Sequence, residues 1–232
     1  MKQLNIFQWA DKFLKGICSN HSGKMKGMWS FSTSCKDNKY CSAYSKDPTT
    51  ICSQCYAQAQ LEYQHTTDNK CRRNGEFIKN HLYSEHEMPK ILFPFFRWEA
   101  FGDLETIIQA ANYLNISASN PDVQFGWFTK NPFLIQLAID TYDIEKPENL
   151  TIIGSSRHVN VIDHWLEKYD FIDHVFTVFS KDFVKENGIV ISCGAKSCIT
   201  CLQCYDKSKN APFYINELLK PHNKKEKKGG RK

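Results

Sequence analysis

Residues 91–138 read ILFPFFRWEAFGDLETIIQAANYLNISASNPDVQFGWFTKNPFLIQLA, and this stretch decides the fold. Ile91–Glu99 is an apolar run of strand length, although Pro94 fits poorly in a central strand. Asp103 offers a helix cap ahead of Leu104, Ile107, Ile108, Ala111 and Leu114, which recur at helical spacing. Val123–Lys130 is a second strand, and Asn131-Pro132 caps and opens a second helix through Leu134, Leu137 and Ala138. Two strand–helix units in succession predict a largely parallel sheet with helical crossovers.

The alternation continues downstream. Leu150–Ser155 is a strand, Val161–Tyr169 a short helix and His174–Phe179 another strand. Ser180 caps a short helix closed by Gly188, and Gly188–Ser192 reads as the last strand, delivering Cys193. Upstream, residues 3–15 form an amphipathic helix with Ile6, Trp9, Phe13 and Leu14 on one side. Met28–Ser34 alternates like a strand and runs into a polar, Pro48-containing loop. Ala57–Tyr83 is helical, with a break near Asp68–Asn69. About six strands fall short of the eight of a full barrel, which typically needs ~250 residues. The expected fold is therefore α/β: an incomplete parallel (βα)6-type barrel with cysteine-rich loops after the first and last strands. A flat doubly wound sheet is the alternative.

With 232 residues and 41% hydrophobic content, the chain suits one domain with a substantial core, which argues against global disorder. That domain is placed at residues 1–220, including a cysteine-rich extension at 193–205. Residues 221–232 read as a disordered basic tail. The formal charge of +5 is concentrated there: Lys220–Lys232 holds seven basic residues and one Glu, or +6, leaving about −1 for the rest. Such a tail solubilises the chain or supplies a weak, sequence-independent contact to nucleic acid. No apolar run approaches the roughly 20 residues that cross a bilayer, and the N-terminus lacks a signal-peptide core. The expectation is a cytoplasmic protein without membrane contact. Thiols stay reduced in that compartment, which favours metal ligation over disulfides.

Ten cysteines make this consequential. One group is Cys35, Cys41, Cys52 and Cys55; the other is Cys193, Cys198, Cys201 and Cys204, a C-x4-C-x2-C-x2-C run. Four thiols within twelve residues converge on one inorganic centre at little chain-closure cost. The second run resembles compact ferredoxin spacing more than a zinc ribbon, whose two knuckles stand about 15–20 residues apart. A [4Fe–4S] cluster is therefore favoured there, with Zn(Cys)4 as the alternative. Cys18 and Cys71 read as buried small hydrophobes. No Walker A loop, dinucleotide glycine fingerprint or His-x-Glu deaminase arrangement is present.

Several landmarks occur in order: Cys55-Tyr56-Ala57, Arg73-Asn74, Arg97-Trp98-Glu99-Ala100-Phe101-Gly102-Asp103, Phe128-Thr129-Lys130, Ser155-Ser156, and Cys193 through Tyr205. Over most of its length the chain resembles the phage gene-product-88 family. Glu99, Ala100 and Phe101 depart from the His, Asp and small residue of that pattern. The CYA cluster after the first strand also resembles, remotely, the cluster loop of radical S-adenosylmethionine (SAM) enzymes on a partial (βα)6 barrel. Cys41-x10-Cys52-x2-Cys55 would be a long-spacer form of their motif, with Cys35 a rival first ligand. The resemblance implies one or two [4Fe–4S] clusters, SAM, and a 5′-deoxyadenosyl radical acting on an unidentified small molecule, nucleotide or peptide. It also implies a reductant protein, and the host cytoplasm if the chain is phage-encoded. Gly102 and Asp103 would meet the SAM amino group; Thr129, Lys130, Ser155, Ser156 and Arg157 sit at strand ends suited to SAM or an anionic substrate. Asp103, Arg97 and Lys130 are the catalytic candidates, with Arg97 pairing with an acid such as Glu99 or binding substrate. The competing reading is a non-catalytic, zinc- or cluster-stabilised protein that binds nucleic acid through its tail.

Overall fold

A computed structural model describes residues 6–220. The proposed tail, 221–232, lies outside the described residues, as does the side chain of Ile6.

The described chain contains α1 (Ile6–Gly16), β1 (Cys18–Ser19), β2 (Trp29–Phe31), α2 (Lys39–Ser45), α3 (Tyr56–Tyr63), α4 (His65–Ile78) and β3 (Phe95–Trp98). It continues through α5 (Ile107–Ala118), β4 (Gln124–Thr129), α6 (Phe133–Tyr142), β5 (Leu150–Ser155), β6 (His174–Phe179), α7 (Lys181–Asn187), α8 (Cys198–Cys201) and β7 (Tyr214–Leu218). The seven strands form one sheet in the order β1-β2-β3-β4-β5-β6-β7. β1 pairs antiparallel with β2, and each later strand pairs parallel with its predecessor. The order never reverses, so the switch point of a doubly wound sheet is missing from these strands.

Strand alternation divides the sheet into two faces. On one face Phe31, Phe96, Trp98, Phe125, Trp127, Leu150, Ile152 and Val175 join Phe13, Leu104, Tyr113, Leu114, Ile116, Ile135 and Ala138 in the core. Trp98 stacks on Tyr113 at 4.2 Å between ring centroids, and Phe13 on Phe31 at 4.4 Å. Each such side chain, fully buried, stabilises the fold by roughly 1.5–3 kcal/mol. The opposite face is mixed and half-open: Arg97, Phe128, Ser155, Phe176, Val178 and Glu217 line a cavity of about 860 Å3.

Several expectations need correction. Gly188–Ser192 is not a strand; the last strand is β7, which the sequence reading did not anticipate. Backbone amides of Ser192 and Cys193 both donate to the Asn216 carbonyl, so this segment leans on β7 without joining the ladder. The second cysteine group consequently precedes the last strand instead of following it. The helix break falls at Gln64, not Asp68–Asn69. Asp103 does not cap α5: Thr106 does, accepting from the Gln109 amide at 3.2 Å, while Asp103 turns toward β4. Leu14 is exposed, so α1 packs inward through Trp9 and Phe13. Ser180 and Gly188 do bracket α7, Gly188 in the left-handed conformation at φ 63°. Among the described residues, no helix is long and apolar enough to cross a membrane.

Candidate metal and ligand site

The cavity opens at the C-terminal ends of the parallel strands, where loops following β2, β3, β4 and β5 converge. Functional groups collect there in parallel α/β folds because every strand end delivers a loop to the same rim. All eight grouped cysteines line it, together with Arg97, Gly102, Asp103, Thr129, Lys130, Ser155 and Ser156. Two cysteine groups that are about 140 residues apart in sequence thus share one chamber. Cys18 also lines it, whereas Cys71 is buried outside.

The first group is tied to three strand ends. Asn38 caps α2 by accepting from the Cys41 amide at 2.9 Å, and its side-chain NH2 donates to the Asp103 carbonyl at 2.7 Å. Tyr40 Oη donates to the Lys130 carbonyl at 2.6 Å, and Tyr56 Oη to the Ala100 carbonyl at 2.6 Å. The Ile51 amide donates to the Arg157 carbonyl at 2.8 Å, beside an isolated bridge between Thr50 and His158. These contacts anchor the cysteine loop to the ends of β3, β4 and β5. Cys55 sits at the N-terminus of α3 and hydrogen-bonds Cys35. That bond, the amides of Ala57 and Gln58, and the Lys130 charge bring its thiol down to about 6 against the opposing effect of burial. Cys35 is pushed up by its bond to Cys55 and by burial. Burial also raises Cys41 and Cys52, the latter opposed by Lys130.

The second group is clamped by a residue the sequence reading missed. Lys24, in the loop between β1 and β2, donates from Nζ to the Cys193 carbonyl at 2.9 Å, to Cys193 Sγ at 3.4 Å and to Glu217 at 2.7 Å. Its own carbonyl accepts from the Cys198 amide at 2.7 Å. No local pattern signals this clamp, since its partners lie about 170 residues away. Burial lifts Cys193, Cys198 and Cys204, Cys204 to about 12. Tyr205 closes the run: its ring packs against Phe95 at 5.5 Å and its hydroxyl donates to the Phe96 carbonyl at 3.3 Å. It lies flat over Gly126, where a Cβ would stand 2.9 Å from the ring.

Between the groups are two buried carboxylates and two cations. Glu99 has φ 52°, a conformation unusual for a residue with a side chain. It accepts from Thr33 N (2.9 Å), Thr33 Oγ1 (3.0 Å), Gln109 (2.8 Å) and Tyr113 Oη (2.6 Å). The expected Arg97–Glu99 pairing therefore does not occur. Burial raises Glu99 to about 7, with these donors resisting. Asp103 accepts from Leu104 N, Thr129 Oγ1 and Lys130 N at 2.8, 2.6 and 2.8 Å, and burial raises it too. Thr129 is thereby committed to wiring the β3 loop to β4. Ser156 is shared similarly between Thr177 Oγ1 and the Asp163 amide. Gly102, at φ 78°, could not carry a Cβ, which would fall 2.6 Å from the Thr33 carbonyl. Arg157 lies over Tyr44 and Trp165 and does not line the cavity. Among the described residues, neither Arg97 nor Lys130 forms an ion pair.

The thiols fit a thiolate-held centre in identity and placement. They are not closed around one, because no group of three or more His, Cys, Asp or Glu among the described residues is arranged to hold a metal ion. Loading would require side-chain rotations within the loops.

A family model described as gene product 88 matches residues 9–231. No curated protein and no solved structure matches the chain. The match covers nearly all of the sequence, and the chain belongs to the gene product 88 family.

Proposed function

We propose that this member of the gene product 88 family is a radical SAM-like iron–sulfur enzyme whose sheet is an incomplete (βα)6-type barrel. The observation that carries the reading is the shared chamber: the first cysteine group, Asp103 and Lys130 stand at the C-terminal ends of consecutive parallel strands, and Arg97 and the second cysteine group, which crosses the sheet face, line the same cavity. Sequential parallel strand order, with helices packed on one face and a cavity on the other, fits a partly closed barrel. Cys41, Cys52 and Cys55, with Cys35 as rival to Cys41, would hold the first [4Fe–4S] cluster. Cys193, Cys198, Cys201 and Cys204 would hold a second cluster or zinc. Such a cluster, bound there with SAM, would supply one-electron reductive chemistry, with the electron coming from a separate reductant protein.

The chain's own residues prepare that chemistry. The Ala57 and Gln58 amides and Lys130 favour the thiolate of Cys55. Asp103 Oδ2 accepts one hydrogen bond and retains capacity for a second, from the amino group of a SAM molecule. Ser155 lines the chamber at the end of β5 as a further polar contact.

Anaerobic purification with iron, sulfide and zinc analysis tests this, alongside EPR of the dithionite-reduced chain with and without SAM. About four to eight irons per chain and a SAM-perturbed signal are expected. Cys52→Ala or Cys55→Ala should abolish SAM cleavage while the fold survives. Zinc without sulfide and no SAM response would overturn the reading in favour of a metal-stabilised binding protein.

A further inference from the structure

The geometry points to Arg97 as the anchor for an anionic group, a carboxylate or phosphate, on the molecule that occupies the cavity. This inference rests on the reading of the chamber as a substrate site.

Arg97 stands on β3 opposite Gly126 of β4 and Ser30 of β2. Gly126 is covered by Tyr205, and the guanidinium of Arg97 lies over Phe128, two residues further along β4, 4.0 Å from the ring centroid. Its one hydrogen bond is weak, from Nη1 to Met25 Sδ at 3.5 Å. Its Nε is buried and has no hydrogen-bond partner. Leaving a buried donor unsatisfied costs about 1–3 kcal/mol, more for a charged group. The carboxylate two residues on is engaged elsewhere, by Thr33, Gln109 and Tyr113. Glu217, which also lines the cavity, is taken by Lys24, and the guanidinium charge is felt by the thiols of Cys198 and Cys204, which burial raises. The protein thus holds a guanidinium by its face and leaves a planar fork of N–H donors toward the chamber. A planar fork matches two oxygens of one carboxylate or phosphate, which a point-charge ammonium does not. Lys130 also lines the cavity and, like Lys70, forms no ion pair among the described residues, so the ligand's remaining charge has further favourable neighbours.

The test uses the full chain, purified anaerobically and labelled with 15N-arginine. The sequence has arginine only at 72, 73, 97, 157 and 231, so the Nε–H resonances are few and Arg97→Gln assigns the one of interest. Inorganic phosphate and acetate are titrated separately, and the two arms distinguish a phosphoryl from a carboxylate ligand. A saturable shift of the Arg97 resonance with either anion, while Arg73 drifts only linearly, is the expected result. Arg97→Lys, which keeps the charge and loses the fork, should weaken that affinity about tenfold or more. No saturable shift with either anion, or equal affinity in Arg97→Lys, would overturn the inference. Arg97→Lys removes the same resonance, so the assignment and the titration of the unmutated chain decide even if Arg97→Gln fails to fold. Iron and sulfide are measured on the same sample. Saturable binding to a chain without iron removes the enzyme reading and keeps the anion site, whereas an iron-loaded, SAM-responsive chain without it removes only the anion site.

Discussion

At the scale of single residues, the cavity wall contains groups under tension between burial and hydrogen bonding. Glu99 is the sharpest case. Four donor contacts reach its carboxylate, yet water is excluded and the group titrates at about 7 in the folded chain. A carboxyl raised on folding binds its proton more tightly in the native state, so stability is greatest below the ordinary glutamate range near 4.5 and declines as pH rises through about 7. Asp103 acts in the same direction. Cys41 and Cys71, whose thiols are themselves pushed up by burial with Glu99 a lesser contributor, remain neutral across this window. Urea unfolding between pH 5 and 8 should therefore contain a falling contribution from Glu99 of up to about 3 kcal/mol if each pH unit contributes about 1.4 kcal/mol, opposed above about pH 6 by Cys55, whose lowered thiol acts in the other direction. Glu99→Gln should flatten most of that slope. A slope unchanged in the variant would show that Glu99 stays ionised throughout. Glu99 entered the sequence reading only as a departure from a family pattern and as a partner for Arg97. Its true partners come from β2's exit and from α5, and no local spacing announces them.

At the scale of elements, the second cysteine run depends on Gly126 of β4. Tyr205 covers this position, and a methyl group there would lie 2.9 Å from its ring. Gly126→Ala should push Tyr205 off the sheet, destabilise the fold by about 1–3 kcal/mol as overpacking does, and loosen the 193–205 segment. Thermal unfolding together with metal analysis checks this. Metal loss confined to the second group is the expected outcome, and full retention would mean that the segment is held by Lys24 alone. The elements that were legible are those whose signal is local. β4, β5 and β6 are apolar runs closed by a cap or a loop, and Leu150–Ser155 and His174–Phe179 have the same limits in sequence and structure. β7 was not legible because YINEL mixes apolar, amide and acidic residues and earns its place only by pairing with β6. GIVIS at 188–192 carries the stronger local strand signal, but β7 occupies the position beside β6, and the segment meets β7 at Asn216, through Val190, Ser192 and the adjoining Cys193. The site was legible as a set of residues, because each is at a strand end or in a cysteine run. That both runs open into one chamber was not, because it depends on β7 and the Lys24 loop bringing the second run back across the sheet.

At the scale of the whole molecule, charge and chemistry are separated along the chain. The +6 segment from Lys220 to Lys232 begins at the last described residue, immediately beyond β7. The rest of the chain carries about −1 and contains the cavity, the core and both cysteine groups. β7 is held by its full pairing with β6 and by the Leu219 amide donating to the Phe179 carbonyl, so among the described residues the sheet is complete by residue 219. A chain ending at Pro221 should therefore keep its thermal midpoint and its metal content. Nucleic-acid affinity is the property expected to change. A segment with seven basic residues binds phosphates through counterion release, so log affinity should fall with log salt at a slope of about −0.9 per phosphate contacted. Filter binding of the full and shortened chains to the same duplex, across about 50–200 mM salt, separates the possibilities. Loss of a steep salt slope on truncation, with metal content and SAM response unchanged, assigns the tail an electrostatic role independent of the cavity. Loss of the metal on truncation would instead mean that the basic segment folds back onto the chamber, where Arg97 and Lys130 already concentrate positive charge, and the division between a neutral reacting body and a basic tail would have to be abandoned.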